Sequence, residues 1–223
     1  MNRTDFEKYA GSDHGISTMT IHRYSASVDA YMNPSIIEER QLNVASMDVF
    51  SRLMMDRIIF LGVGIDDDVA NIISAQLLYL SSVDPQSDIS LYINSPGGNV
   101  HSGLGIYDTI QFVSPDVCTT CMGMAASMGA VLLSSGAKGK RSILPHSKVM
   151  LHQPAGGSSG QASDILIAAK EIEKTRRELF EIMSKHTGMP VEHIALDADR
   201  DFWLNATEAK EYGIVDNIIA GKR

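Results

Sequence analysis

The chain has 223 residues, 44% of them hydrophobic and 21% charged, with 19 Lys and Arg against 27 Asp and Glu for a net charge of −8. A chain of this length buries a sizeable core without disulfide or metal staples, and its acidic balance argues against nucleic acid or an anionic membrane as partner. No apolar run approaches the ~18 residues of a membrane span, and the opening stretch, with Asp5, Glu7 and Asp13 and no apolar run, reads neither as a secretory signal nor as an Arg-rich transit peptide.

Residues 1–31 are polar and aperiodic and read as a flexible extension or a removable pro-segment. Residues 32–47 are transitional, with Pro34 and an Ile36-Ile37 pair ahead of Glu38-Glu39-Arg40. From Asp48 onward strand and helix signals alternate. Ile58-Ile59-Phe60-Leu61, ended by Gly62 and Gly64, predicts a buried strand. Asp66-Asp67-Asp68 suits a helix N-terminus, and Val69, Ile72, Ile73, Leu77 and Leu80 follow at helical period. The next strand is Ile89–Ile93, broken by Ser95-Pro96-Gly97-Gly98, after which Asn99 caps a helix running to about Val113.

Val117–Met122 predicts a third strand, and the small residues Gly123–Ser127 lead into a helix from Met128 to about Ser135. Lys148–His152 is a further strand. The flexible loop Gly156–Gly160 precedes a long polar helix, about Gln161–His186, closed by Gly188 and Pro190. Ile165, Ala168, Ile172, Leu179 and Met183 share one face of it, and Glu173–Arg177 and Glu181–Lys185 are spaced as i,i+4 pairs. Leu166 and Ile167 fall off that stripe and suggest either a partner surface or simply a wider apolar face. This alternation implies an α/β fold with a mainly parallel sheet flanked by helices.

Cys118 and Cys121 are the only cysteines. Residues three apart on a strand face opposite sides, so the pair reads as structural rather than as a redox couple or half a zinc site. With no disulfide framework, a reducing cytoplasm is the expected compartment.

The sharpest chemical signal is Gly123-Met-Ala-Ala-Ser127-Met-Gly-Ala. A serine at a strand-to-helix turn, ringed by small residues, resembles a nucleophile elbow. Serine is equally a favoured helix N-cap. A serine nucleophile needs a base, and of seven histidines His152 is best placed, at the C-terminal end of a predicted sheet strand. The base needs an orienting carboxylate. Asp164, Asp197, Asp199, Asp201 and Asp216 are downstream candidates, and spacing does not choose among them. Ser95-Pro96-Gly97-Gly98 either donates a backbone N–H to an oxyanion or is a plain turn.

Five segments in order resemble the ClpP family: Ile-Asn-Ser-Pro-Gly-Gly (93–98), Gly-Met-Ala-Ala-Ser-Met-Gly-Ala (123–130), Gly-Ala-Lys-Gly-Lys-Arg (136–141), Val-Met-Leu-His-Gln-Pro (149–154) and Asp-Arg-Asp-Phe-Trp-Leu (199–204). The likeness runs from about Asp48 to Ile219. It implies a crotonase/ClpP-like fold of repeated strand–helix units over 48–223, with a projecting handle helix at about 161–186 and an axial N-terminal segment at 32–47. It implies a serine endopeptidase, with Ser127 as nucleophile, His152 as base, Asp201 as orienting carboxylate, and the N–H groups of Gly98 and Met128 as the oxyanion hole. Tyr92 and Phe112 would belong to a partner-docking pocket, and Arg200 to a ring contact.

The resemblance further implies two stacked heptameric rings in the cytoplasm, fed with unfolded protein by a hexameric AAA+ unfoldase such as ClpX, ClpA or ClpC. The unfoldase uses the ATP, and this chain would need no cofactor and no metal. Two rivals stand beside this expectation. One is a crotonase-like acyl-CoA enzyme on the same scaffold, which needs no serine nucleophile. The other is a catalytically inactive ring scaffold, which would usually have lost triad residues.

Overall fold

The computed structural model describes Met19, residues 35–40 and residues 43–221. Apart from Met19, the proposed extension or pro-segment at 1–31 lies outside the described residues. The chain passes through β1 (Ser35–Arg40), β2 (Asn43–Asp48), α1 (Val49–Met55), β3 (Ile58–Leu61), α2 (Asp67–Val83), β4 (Ile89–Ser95), α3 (Val100–Phe112) and β5 (Val117–Ala126). It continues through α4 (Met128–Ser134), β6 (Arg141–Ile143), β7 (Lys148–Leu151), α5 (Ala162–Thr187), α6 (Val191–Asp197), β8 (Phe202–Leu204), α7 (Ala206–Glu211) and β9 (Asn217–Ile218). β1 and β2 form an antiparallel hairpin, pairing Ser35 with Asp48 and Arg40 with Asn43.

The main sheet runs β3-β4-β5-β6-β9, all parallel, as the alternating pattern requires. Its strands read as near-continuous apolar runs because helices cover them. Ile59, Leu61, Ile89, Leu91 and Ile93 are buried against Ile72, Ile73 and Leu77 of α2 and Leu132 and Leu133 of α4. Asp66 caps α2 by accepting the Val69 N–H at 2.8 Å, and Asn99 caps α3 by accepting that of Ser102 at 3.1 Å. Arg57, at φ 62°, closes the far end of α2. Its guanidinium donates to the carbonyls of Leu80, Asp84, Ser87 and Asp88.

β5 is longer than the predicted Val117–Met122, and the extra length directs the fold. Thr119–Cys121 pair with β6, whereas Met124–Ala126 pair with β7. The change of partner occurs at Gly123, where φ is 89° and an added Cβ would lie 2.7 Å from Asn94 Oδ1. A glycine is required there. β7 in turn pairs antiparallel with β8, matching Leu151 to Phe202. A second small layer thus splits from the main sheet at Gly123 and carries the β5, β7 and β8 ends together.

α5 is amphipathic, but its apolar stripe is buried only toward the C-terminus. Leu179 and Met183 are buried, Ala168 and Ile172 are half-buried, and Ile165 is exposed. Leu166 and Ile167 are 62% and 67% exposed, so the first half of the helix projects. The observed ion pairs on its wet side are Lys174 with Glu171, Arg176 with Glu173 and Arg177 with Glu181, not the expected Glu173–Arg177 and Glu181–Lys185. Arg177 can reach an acid one turn to either side, Glu173 or Glu181, and sequence spacing alone does not rank the two.

Arg141 is only 4% exposed. It forms a double-pronged pair with Asp216 and donates to the carbonyls of Ser134 and His186, tying the ends of α4 and α5 to the sheet. Burial pushes the Asp216 carboxyl up, and its hydrogen bonds to Arg141 and Gly139 reverse that to a net lowering. Nearby, burial, helped by the charges of Lys185 and Arg141, pulls His186 from its ordinary 6.5 down to about 4. Its folded pKa lies below the unfolded one, so the unfolded chain binds the extra proton between them. The neutral ring therefore contributes stability that is full above pH 6.5 and is lost as pH falls toward 4. His186→Gln, which can still meet the Tyr107 hydroxyl now 3.1 Å from Nε2, is expected to flatten the fall of the urea midpoint across that window. An equally steep fall in the variant would assign the effect to other groups.

Candidate active site

Ser127 stands between β5 and α4 at φ 54° and ψ −124°. Among the described residues only it and Arg57 combine a side chain with positive φ. Such a conformation costs on the order of 1–3 kcal/mol and persists only where surroundings impose it. Here the Ser127 N–H donates to the Met150 carbonyl at 2.8 Å, its carbonyl accepts from Ala130 at 2.9 Å, and Gly97 packs against it. Ser127 occupies the N-cap position of α4 yet makes no side-chain cap bond. The capping alternative therefore fails, and the hydroxyl is free for other chemistry.

His152 follows β7 directly and lines the same cleft as Ser127. Because Leu151 pairs with Phe202, continuing that register sets His152 across from Asp201. The structure shows this contact, Nδ1 to Oδ1 at 3.2 Å, with the side chains 29% and 62% exposed. Of the five carboxylates that sequence leaves open, the fold brings Asp201 to His152. Asp216 is engaged by Arg141, and Asp197 accepts from the Tyr212 hydroxyl at 2.9 Å and contacts His193.

The Gly97-Gly98 loop lies beside this turn. Gly97 has φ 87°, and a Cβ on it would meet Ser127 Cβ at 2.7 Å and Met128 N at 3.0 Å. Gly98 has φ 153°, and a Cβ there would strike the Ile65 carbonyl oxygen at 2.1 Å. Ile65 bonds both the Gly97 carbonyl and the Asn99 N–H, each at 2.8 Å. In an extended chain this alternation turns the N–H of Gly98 to the opposite edge. The N–H of Met128, in the first turn of α4, has no intrahelical acceptor.

The rest of the cleft is apolar, walled by Val131, Leu151, Leu179, Phe180, Met183 and Ile194. Periodicity marks Leu179 and Met183 as buried but gives no sign that they face a cleft, and Phe180 lies outside the stripe it picks out. Tyr92, half-buried on β4, and Phe112, 79% exposed at the end of α3, do not line it. Arg200 is exposed between Asp199 and Asp201. The two cysteines face opposite sides of β5. Burial above all pushes the Cys118 thiol up to about 11 and that of Cys121 up to about 12, so neither is a nucleophile at neutral pH. Among the described residues no cluster of His, Cys, Asp or Glu is arranged to hold a metal.

The family described as Clp protease matches residues 40–222 of this chain. An ATP-dependent Clp protease proteolytic subunit of Bacteroides fragilis (strain YCH46) is 60% identical over 218 residues, covering 98% of this chain and 99% of the relative. Proteins of the same description from Porphyromonas gingivalis and Bacteroides thetaiotaomicron are 58% and 59% identical, again over 98% of this chain and 99% of each relative.

Proposed function

The chain belongs to the Clp protease family, and from that premise we propose that its serine endopeptidase activity runs through Ser127 as nucleophile, His152 as general base and Asp201 as orienting carboxylate. One observation carries the reading. An uncapped serine is held at φ 54° in a cleft shared with a histidine whose other nitrogen meets a carboxylate. Asp201 accepts a hydrogen bond from the Nδ1–H of His152, which keeps that proton on Nδ1 and leaves Nε2 with its lone pair. Nε2 takes the Ser127 proton as Oγ attacks the peptide carbonyl carbon, and returns it to the leaving amine. Water, activated by the same nitrogen, then hydrolyses the acyl-enzyme. The apolar wall beside Ser127 suits an apolar side chain next to the scissile bond. A crotonase-like acyl-CoA reaction makes no use of this serine–histidine–aspartate arrangement, and an inactive scaffold has no reason to keep it.

The N–H groups of Gly98 and Met128 receive the developing oxyanion. Gly98→Ala forces a Cβ into Ile65 and displaces the donor, and the loss of one such donor lowers kcat by about 10²- to 10³-fold. Peptide hydrolysis by a variant whose circular dichroism matches the parent checks this. A kcat within about threefold would remove Gly98 from the hole.

Assembly into two stacked heptamers gives the projecting half of α5 an occupant, a second copy covering Ile165, Leu166 and Ile167. Arg200 contributes to the contact between rings. Exposed Phe112 and half-buried Tyr92 serve docking of a hexameric AAA+ unfoldase such as ClpX, ClpA or ClpC, in the cytoplasm. The unfoldase consumes the ATP, a division that the relatives' description as ATP-dependent proteolytic subunits supports, and this chain itself uses no cofactor or metal. Among the described residues no helix is long and apolar enough to cross a membrane.

Fluorophosphonate labelling of the purified chain, read by intact mass and peptide mapping, tests the core of the reading. One label per chain on Ser127 is expected. A preparation that hydrolyses peptides but labels elsewhere would overturn it.

A further inference from the structure

The His152–Asp201 contact is held neither by burial nor by a short bond of its own. At 3.2 Å it is longer than a charge-assisted hydrogen bond usually is, and the Asp201 side chain is 62% exposed. The β7–β8 ladder holds the chain from Phe202 onward, and the acidic turn that precedes it is held from beside. Gln153, the residue after His152, grips that turn three times. Its backbone N–H donates to the Ala198 carbonyl at 2.7 Å. Its Nε2 donates to the Asp199 carbonyl at 3.0 Å and to Asp199 Oδ1 at 3.3 Å. On the other side Oε1 accepts from Arg176 of α5 at 3.4 Å, and Arg176 is steadied by Glu173 at 2.6 Å. These partners fix the orientation of the amide. Flipping it would set oxygen against the Asp199 carbonyl and nitrogen against the arginine. A carboxamide is also a neutral group that presents a donor to one neighbour and an acceptor to the other from separate atoms.

We propose that Gln153 is a positioning residue for the catalytic pair, its amide linking Arg176 of α5 to the Asp199–Asp201 turn so that Asp201 stays in register with His152. This rests on the triad reading above. It differs from a purely structural strap in one respect: its effect must pass through the Asp201 carboxylate. Small displacements around a reacting pair lower rate without altering how substrate is bound.

The test is a double-mutant cycle on the full-length chain, using hydrolysis of a short fluorogenic peptide and the rate of fluorophosphonate labelling of Ser127. Gln153→Leu removes both hydrogen-bonding ends at similar size. It is expected to lower kcat by about tenfold or more with KM little changed, and to leave the melting temperature within about 3 °C. In an Asp201→Ala background the same change is expected to cost almost nothing further, because the group it positions is gone. Should Gln153→Leu fail to fold, Gln153→Glu keeps the size and the acceptor for Arg176 while losing the donor, and the same cycle applies. A kcat within about twofold of the parent, or an equal loss with and without Asp201, would overturn the proposal. If Asp201→Ala alone is as active as the parent, the triad reading itself fails and the proposal fails with it.

Discussion

Ser127→Ala is expected to lower peptide turnover by about 10⁶-fold, the loss seen when a serine peptidase of another fold is deprived of its nucleophile. The structure says why this loss will be chemical and not conformational. The hydroxyl caps nothing, so α4 keeps its N-terminus when Oγ is removed. The positive φ is imposed by bonds that alanine retains, the Ser127 N–H to Met150 and the Ser127 carbonyl to Ala130. Alanine and serine share Cβ, so the close fit against Gly97 is unchanged. The cleft also offers no second nucleophile of ordinary reactivity. Its other lining residues are apolar apart from His152, and burial keeps both cysteine thiols protonated at neutral pH. Hydrolysis of a short fluorogenic peptide by parent and variant, each verified by intact mass, measures the ratio. Residual turnover above about one hundredth of the parent's would remove Ser127 as nucleophile.

The elements most legible in the sequence are those whose burial is two-sided or strongly periodic. β3, β4 and α2 appear where the apolar runs Ile58–Leu61 and Ile89–Ile93 and the Val69–Leu80 stripe put them. Short elements escape such a reading: α1, β6, α6, β8, α7 and β9 have two to seven residues each, too few for either period to declare itself. The extension of β5 past Met122 escapes it for another reason. Gly123 and its small neighbours carry turn chemistry, and the chain does turn there, but it turns within a strand that changes partner.

The site divides in the same way. Ser127 and His152 are visible because each sits at an element end with an unusual local sequence. Asp201 is not distinguishable from Asp197, Asp199 or Asp216 by local pattern. Its contact with His152 follows from the antiparallel β7–β8 ladder, a long-range pairing of two strands with only four and three residues. The family resemblance names it where spacing does not. Gln153 looks in the sequence like a residue that merely ends a strand, since nothing in its neighbourhood announces that Asp199 and Arg176 converge on its amide.

Asp201→Asn is the second large effect, a fall in kcat of about 10⁴-fold at neutral pH. Charge alone does not predict so much. With its side chain 62% exposed, Asp201 is well screened, and screened pairs of this kind contribute about 1 kcal/mol or less. The tautomer of His152 matters more. A carboxylate only accepts, so it holds the proton on Nδ1 and leaves the lone pair on Nε2. An asparagine amide can instead donate to Nδ1, which places the proton on Nε2, and that nitrogen then cannot take the Ser127 proton. The ladder that pairs Leu151 with Phe202 holds the backbone in either case, so substrate binding and KM should change little while kcat collapses. Steady-state kinetics on the variant, with fluorophosphonate labelling as a second readout of Ser127 reactivity, separates the two accounts. A loss of only a few-fold would mean that Asp201 acts as a screened charge and that something else fixes the His152 tautomer. A loss near 10⁴-fold with unchanged KM would mean that a single solvent-reached carboxylate sets the protonation state on which the reaction depends.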